Sequence, residues 1–142
     1  MKKAFNTSKY IGIPYTNKGR SIQGSDCWGL VRMIYRDEFG IQLLSFSDDY
    51  ESSEEGIKVR EVVQKGKDIF DATQKESPEY GDIIVFNMKG NPCHVGVYVG
   101  GDRVLHVLRG TECVIERLSS HRLKGRVEGY YEIRKELGNI TL

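Results

Sequence analysis

The chain has 142 residues and a mass of 16.2 kDa, enough for one compact domain and too little for two ordinary ones. With 39% hydrophobic and 29% charged residues, it has the composition of a globular protein and not of a disordered tail. Its 21 Lys and Arg against 20 Asp and Glu give a net charge of +1, so bulk charge offers no argument for nucleic acid or an anionic membrane as a partner. We expect a single domain over residues 1–142.

The first ten residues include Lys2 and Lys3 but lack the apolar core of a secretory signal peptide. No segment approaches the roughly 18–20 consecutive apolar residues of a membrane span. We therefore expect synthesis in a cytoplasm, with no membrane span and no export by the general secretory route.

A helix is predicted over residues 27–39, because apolar side chains recur at intervals of three and four along one face. The residues of this face are Cys27, Leu30, Val31 and Ile34. Ser25 or Asp26 can cap the N-terminus of the helix, and Gly40 can end it.

The segment 45–56 is acidic and rich in serine, which is typical of a solvated surface region. Ser52 followed by Glu55 fits a capping box, and the apolar residues after it predict a short surface helix that ends near Gly66.

The second half of the chain alternates between apolar and polar residues with the period of two expected for strands. The predicted elements are strands over 83–86, 94–99, 103–108, 114–115 and 127–133, a turn over 89–92 and a hairpin loop over 100–102. A helix followed by a meander of strands predicts an α+β fold.

Three cysteines, Cys27, Cys93 and Cys113, show no C-x-x-C spacing, which argues against a zinc ribbon or a thioredoxin-type dithiol. Because their number is odd, at least one thiol is free of intrachain disulfides. Cys27 falls in the first turn of the predicted helix, where unpaired N–H groups and the helix dipole favour a thiolate. Asp26 beside it opposes that effect, and a cysteine on an apolar helix face is also typical of a small core residue.

The length of the hairpin loop decides whether His94 and His106 share a face of the sheet. A two-residue loop would place them on opposite faces. If residues 100–102 form a three-residue loop, His106 lies opposite Gly96, and His94 lies on the same face two residues along, within reach of a second imidazole. Such loops prefer glycine in the left-handed region, and this loop contains two glycines, so we expect the three-residue form. Gly96 would leave room between the rings for a side chain from elsewhere.

Two histidines on one face leave three interpretations open. The pair could be structural, it could bind a metal together with Cys27, or it could act with Cys27 in nucleophilic catalysis. A metal site of one cysteine and two histidines would lack an obvious fourth ligand, since Cys93 is adjacent to His94 and points the other way. We therefore favour cysteine–histidine chemistry.

Five short motifs occur in a fixed order along the chain. They are Gly12-Ile13-Pro14-Tyr15, Gly24-Ser25-Asp26-Cys27-Trp28-Gly29-Leu30-Val31, Gly81-Asp82-Ile83-Ile84-Val85-Phe86, His94-Val95-Gly96-Val97-Tyr98-Val99-Gly100 and Val104-Leu105-His106. This ordered set resembles the NlpC-type cysteine peptidases of bacterial cell walls, a papain-like α+β family, over residues 10–133. The resemblance implies an N-terminal helical part packed on a central antiparallel sheet.

The resemblance also implies a role for each matching residue. Cys27 matches the nucleophile, His94 the general base and His106 the polar residue that orients the base. Tyr15 matches a tyrosine that helps to bind the oxyanion, and Asp26 matches an acidic residue that holds the free amine of a stem peptide. The implied activity is hydrolysis of amide bonds in peptidoglycan stem peptides, with no metal or organic cofactor.

Trp28 departs from the serine that many members carry after the nucleophile, and it either contributes to the substrate site or packs beside the helix start. The sequence Asp26-Cys27-Trp28-Gly29 is similar to a phage-tail branch of the family. That branch implies tail proteins as partners and a virion that brings the protein to the bacterial wall. Two alternatives remain open, a tail component that keeps the fold without activity and acyl transfer through the same residues. The complete set of three matching catalytic residues favours an enzyme.

Overall fold

The computed structural model describes residues 2–43, 72–88 and 91–133. The predicted surface helix from Ser52 to Gly66 lies outside these residues, and so do Lys89 and Gly90 of the predicted turn. In the described part, no helix is long and apolar enough to cross a membrane.

One α-helix and eight strands form the framework of the described residues. In chain order they are β1 (Arg20–Ser21), β2 (Gly24–Ser25), α1 (Cys27–Ile34), β3 (Thr73–Lys75), β4 (Ile83–Met88), β5 (Asn91–Tyr98), β6 (Arg103–His106), β7 (Val114–Arg117) and β8 (Val127–Glu132). A 3₁₀ turn at Thr7–Lys9 precedes them, and a π-helical turn at Tyr35–Phe39 follows α1.

The helix begins where the sequence predicts it, at Cys27. The Asp26 carboxylate accepts a hydrogen bond from the Gly29 N–H at 2.8 Å, which satisfies one of the donors that a helix start leaves unpaired. After the π-helical turn, Gly40 ends the helix with a φ of 67°, a left-handed conformation that glycine adopts without strain. The prediction of a helix over 27–39 is therefore confirmed in extent, with a widened last turn.

Six of the strands form one antiparallel sheet in the order β3-β8-β4-β5-β6-β7, and β1 pairs with β2 in a separate hairpin. The helix α1 packs against β5, near the centre of the sheet. This layout is the predicted one, a helix on a large antiparallel sheet. The strands β1, β2 and β3 were not predicted, because two or three residues are too few to show an alternating pattern.

The turn predicted over 89–92 is wrong in its second half, because Asn91 and Pro92 belong to β5. They extend the ladder with β4 beyond Phe86, at the point where the register between the two strands shifts. Proline in sheets is largely confined to edges and bulges, and this shift supplies such a bulge. His94 pairs with Phe86, so the bulge lies directly beside this histidine.

The sheet buries apolar side chains on both faces. The cluster on the α1 side includes Leu30, Val31, Ile34, Val85, Val95 and Val97. The cluster on the opposite side consists of Ile84, Phe86, Val104 and Leu123. Because Leu123 belongs to the connection between β7 and β8, that connection is anchored to the sheet by a fully buried side chain.

The loop between β5 and β6 has the three-residue form. The Val99 N–H donates to the Arg103 carbonyl at 3.0 Å, which leaves residues 100–102 as the loop. All three loop residues have a positive φ, of 83°, 59° and 64° in chain order. The register of β5 against β6 is the one predicted for this loop length.

Candidate active site

His94 and His106 lie side by side on one face of the sheet. His94 Nε2 is 2.8 Å from His106 Nδ1, a hydrogen-bond distance, and both rings are buried. The structure therefore confirms that the loop length brings the two histidines together.

Gly96 lies between these histidines on the same face, but it does not leave the open space that the sequence suggested. A Cβ atom at this position would lie 2.6 Å from Val104 Cγ2 and 3.0 Å from His106 Cβ. Glycine is needed here because β6 approaches β5 closely, so the absent side chain makes room for His106 itself.

A carboxylate that the sequence analysis missed extends the pair. Glu116 Oε1 is 2.9 Å from His106 Nε2, so the second ring nitrogen of His106 also has a partner. Glu116 lies on β7, where Val114 pairs with His106, so the carboxylate falls on the histidine face two residues along. The same alternation argument would have found it if the strand predicted over 114–115 had been extended by two residues.

The Glu116 carboxylate is itself held by two donors. Arg122 Nη2 lies 2.7 Å from Oε1, and the Ser120 hydroxyl donates to Oε2 at 2.7 Å. Partial burial alone would raise the pKa of this carboxyl, but the hydrogen bonds from Arg122, Ser120 and His106 lower the pKa to about 2. Glu116 is therefore ionised at neutral pH.

Burial controls the protonation of both histidines. It lowers the pKa of His94 well below the usual 6.5, and the neighbouring His106 and Arg122 add to this effect. Burial also lowers the pKa of His106, although the hydrogen bond and charge of Glu116 act in the opposite direction. Both imidazoles are therefore neutral near pH 7, the form in which a histidine accepts a proton.

The aromatic ring of Phe86 packs against the imidazole rings of His94 and His106. Its ring centroid lies 5.4 Å from that of His94 and 6.2 Å from that of His106. The adjacent bulge has its extra residue on β5, between Pro92 and His94, and bulges beside active sites serve to re-aim a side chain. The histidine pair is thus fixed by packing as well as by hydrogen bonds.

Cys27 occupies the first position of α1, as predicted, and its thiol is not in a disulfide. The residue is buried in the cluster between α1 and the sheet. The helix α1 packs against β5, the strand that carries His94, and a contact between the Cys27 thiol and His94 stays a prediction. The helix N-terminus favours negative charge on a thiol placed there.

Asp26 was predicted to bind the amine of a substrate, and its carboxylate is fully buried. Besides capping α1, it accepts a hydrogen bond from Arg20 Nη1 at 2.8 Å and one from the Lys18 N–H at 3.1 Å. These contacts are those of a structural carboxylate. The ion pair with Arg20 also offsets the negative charge that Asp26 would otherwise place beside Cys27.

Tyr15 and Trp28 are half-buried and pack against the cluster on the α1 side. The backbone of Tyr15 forms a bridge with Ser25, two residues before Cys27, which brings the tyrosine to the start of the helix. Trp28 follows the cysteine directly in α1. Both residues therefore lie where the resemblance expects them, and their roles toward a substrate stay predictions.

Cys113 has the features of an inert thiol. It is fully buried, and burial together with the charge of Glu112 raises the pKa of its thiol to about 12. The side chain of Cys93 lies outside the described part of the structure.

A metal centre was the weakest of the interpretations that the sequence left open. Over residues 2–43, 72–88 and 91–133, no three His, Cys, Asp or Glu side chains are arranged to hold a metal ion.

The buried histidines predict that acid destabilises the fold. Their pKa values are lowered on folding from the usual 6.5, so below that pH the unfolded chain binds protons that the folded chain does not. The free energy of unfolding should therefore fall as the pH drops below about 6.5. Urea unfolding at about pH 7.5 and pH 5.5 measures this difference.

The His106→Gln variant should show a smaller pH dependence of the free energy of unfolding, whereas His121→Gln, which changes an exposed histidine, should keep it. Equal stability of the unchanged protein at both pH values would contradict the prediction.

Curated relatives of the chain act on cell-wall or glutamyl bonds, according to their names. The chain is 26% identical over 126 residues to Murein DD-endopeptidase MepS/Murein LD-carboxypeptidase of Escherichia coli K12, a match that covers 89% of this chain and 57% of that protein. It is 32% identical over 137 residues to Gamma-DL-glutamyl hydrolase of Bacillus subtilis, with 94% of this chain and 28% of that protein covered. The chain thus spans from about a quarter to little more than half of the length of these relatives.

Solved structures share the fold. The NlpC/p60 domain of the peptidoglycan hydrolase SagA superposes with a TM-score of 0.60 over 89% of this chain and 92% of that one, at 18% identity. RipD from Mycobacterium tuberculosis, described as a non-catalytic NlpC/p60 domain protein adapted to peptidoglycan binding, gives a TM-score of 0.57 over 89% of each chain, at 17% identity. These neighbours confirm the α+β papain-like fold. The sequence profile of the NlpC/P60 family matches residues 12–130, nearly the whole chain, and the protein therefore belongs to the NlpC/P60 family.

Proposed function

We propose that the protein is a cysteine endopeptidase that hydrolyses an amide bond in the peptide part of peptidoglycan. The observation that supports this most is the buried pair of neutral histidines on β5 and β6, held 2.8 Å apart in a member of the NlpC/P60 family. Cys27 at the N-terminus of the helix packed on β5 supplies the matching nucleophile.

In this mechanism the Cys27 sulfur attacks the carbonyl carbon while His94 takes up the thiol proton. The C–N bond then breaks, His94 delivers the proton to the leaving amine, and a thioester remains on Cys27. Water, activated by His94, hydrolyses the thioester and releases the carboxylic acid. The Cys27 N–H at the helix start, together with Tyr15, would bind the oxyanion, and one such donor is commonly worth about 3 kcal/mol.

We propose that the bond lies beside D-glutamate in the stem peptide, as expected for NlpC-type peptidases. The relative named Gamma-DL-glutamyl hydrolase, at 32% identity, supports a γ-glutamyl linkage, and the relative named Murein DD-endopeptidase supports a murein substrate. Trp28 is proposed to line the substrate site from the start of α1.

Replacing the nucleophile tests the mechanism directly. We expect Cys27→Ala to lower the release of fragments from purified peptidoglycan on the order of 10³-fold or more, because no thioester can form. Mass spectrometry of the released fragments identifies the bond, and added amines reveal acyl transfer as a new amide product. Circular dichroism checks the fold, and Cys113→Ala serves as the matched control that keeps activity. Undiminished release by Cys27→Ala would overturn the mechanism.

The rival function is a non-catalytic one, in which the domain is a structural component of a tail or binds peptidoglycan, the function that RipD is described to have. The reactivity of the thiols separates the two. We expect an alkylating reagent at about pH 6–7 to modify Cys27 on the order of tenfold faster than Cys113, because only Cys27 lies at a helix N-terminus. Peptide mapping by mass spectrometry measures both sites, and His94→Ala should slow the labelling of Cys27 specifically. Slow labelling at equal rates would favour the non-catalytic function.

We also propose that the protein is carried on a phage or prophage tail and reaches the bacterial wall in that way. This rests on the sequence Asp26-Cys27-Trp28-Gly29 alone. Proteomics of tail particles, purified after prophage induction from the organism that encodes the chain, should find it at constant stoichiometry with the tail tube protein. Particles that lack it would refute the association.

A further inference from the structure

Glu116 joins the histidine pair in a continuous series of hydrogen bonds. The series runs from His94 Nε2 to His106 Nδ1, and from His106 Nε2 to Glu116 Oε1, over distances of 2.8 Å and 2.9 Å. Each imidazole is neutral and has one N–H, so the position of a single proton on His106 decides the direction of both hydrogen bonds.

The carboxylate determines that direction. An ionised carboxylate only accepts hydrogen bonds, so the proton of His106 must be on Nε2, where it is donated to Glu116. His106 Nδ1 then accepts from the Nε2–H of His94. The remaining nitrogen of His94, Nδ1, therefore holds an unshared electron pair.

The opposite arrangement is disfavoured by repulsion. If His106 were protonated on Nδ1, its Nε2 lone pair would face a Glu116 oxygen at 2.9 Å, with two acceptors and no proton between them. His94 would then have to be protonated on Nδ1 and could not accept a proton there.

We propose that Glu116 is a positioning residue that sets the tautomers of His106 and His94, so that Nδ1 of His94 is the unprotonated atom that receives the proton of the nucleophile. The role rests on the proposed function, in which His94 is the base. Glu116 does not touch the substrate in this proposal and acts through His106 alone.

The surroundings of Glu116 keep the carboxylate from turning away. Ser120 and Arg122, on the connection between β7 and β8, bond to both of its oxygens. That connection is anchored by the buried Leu123 and by Ser119, whose hydroxyl donates to the Asp102 carboxylate at 2.8 Å. The carboxylate is thus supported by a segment that is itself fastened to the sheet and to the hairpin loop.

The tautomers of His94 and His106 can be determined by NMR spectroscopy in a protein that has no catalytic activity. Two-bond ¹H–¹⁵N correlation spectra of the imidazoles distinguish protonated from unprotonated nitrogens, and Cys27→Ala provides a stable background near pH 7.5. We expect both His94 and His106 to be protonated on Nε2. In Glu116→Ala, Arg122 becomes a donor without its acceptor beside His106 Nε2, so both rings should shift measurably toward the Nδ1–H form.

The kinetic test uses the active protein. We expect Glu116→Ala to lower kcat on the order of tenfold or more with little change in KM, since a wrong tautomer disables the base without affecting substrate contacts. Glu116→Gln keeps an oxygen that can accept from His106 and should restore part of the loss. Glu79→Ala, which removes an exposed carboxylate paired with Lys75, is the matched control and should leave kcat and both tautomers unchanged.

Either of two results would overturn the proposal: a His94 protonated on Nδ1 in the Cys27→Ala protein, or tautomers and kcat that Glu116→Ala leaves unchanged. The first measurement needs only the Cys27→Ala protein, so it remains decisive if Glu116→Ala does not fold. Absence of hydrolysis by the unchanged protein would instead refute the proposed function, while the spectra would still report the tautomers.

Discussion

The register between β5 and β6 is the constraint on which the candidate site depends. Residues 100–102 form a three-residue loop, and a change of one residue in its length would move His106 to the other face of the sheet. The same register places Glu116 beside His106 through the next strand pair. Hydrogen bonding, burial and charge at the site all follow from this pairing, because they act between side chains that alternation has already brought to one face.

The sequence was most informative where a local rule decides the structure. Asp26 and Gly40 bound the helix as capping rules predict, and the glycines of the hairpin loop led to the correct register of the histidines. The turn predicted over 89–92 is wrong at Pro92. Proline is rare inside strands and common in turns, but the bulge beside it allows Pro92 to belong to β5. Glu116 was missed because its importance arises only from neighbours on other elements.

The start of α1 shows how one side chain can serve several physical purposes. From the sequence, the negative charge of Asp26 is expected to disfavour a thiolate at Cys27. The family resemblance implies that Asp26 binds the amine of the substrate. In the structure the carboxylate caps the helix and pairs with Arg20, so its charge is compensated within the domain. The Asp26 carboxylate in this ion pair is fully buried, and a hydrogen bond between two charged groups is stronger than one between neutral groups.

The fastening of the hairpin loop has a consequence for the evolution of the domain. Exposed hairpin tips are ordinarily where insertions accumulate between homologues, since few contacts depend on their length. Here the Asp102 carbonyl accepts from the Leu118 N–H at 2.7 Å, and its carboxylate holds Ser119, on the segment that supports Glu116. Added residues at this tip would disturb the register and the support of the carboxylate together. Variation in length should therefore be tolerated elsewhere on the surface, and the tip should keep its size as the sequence diverges.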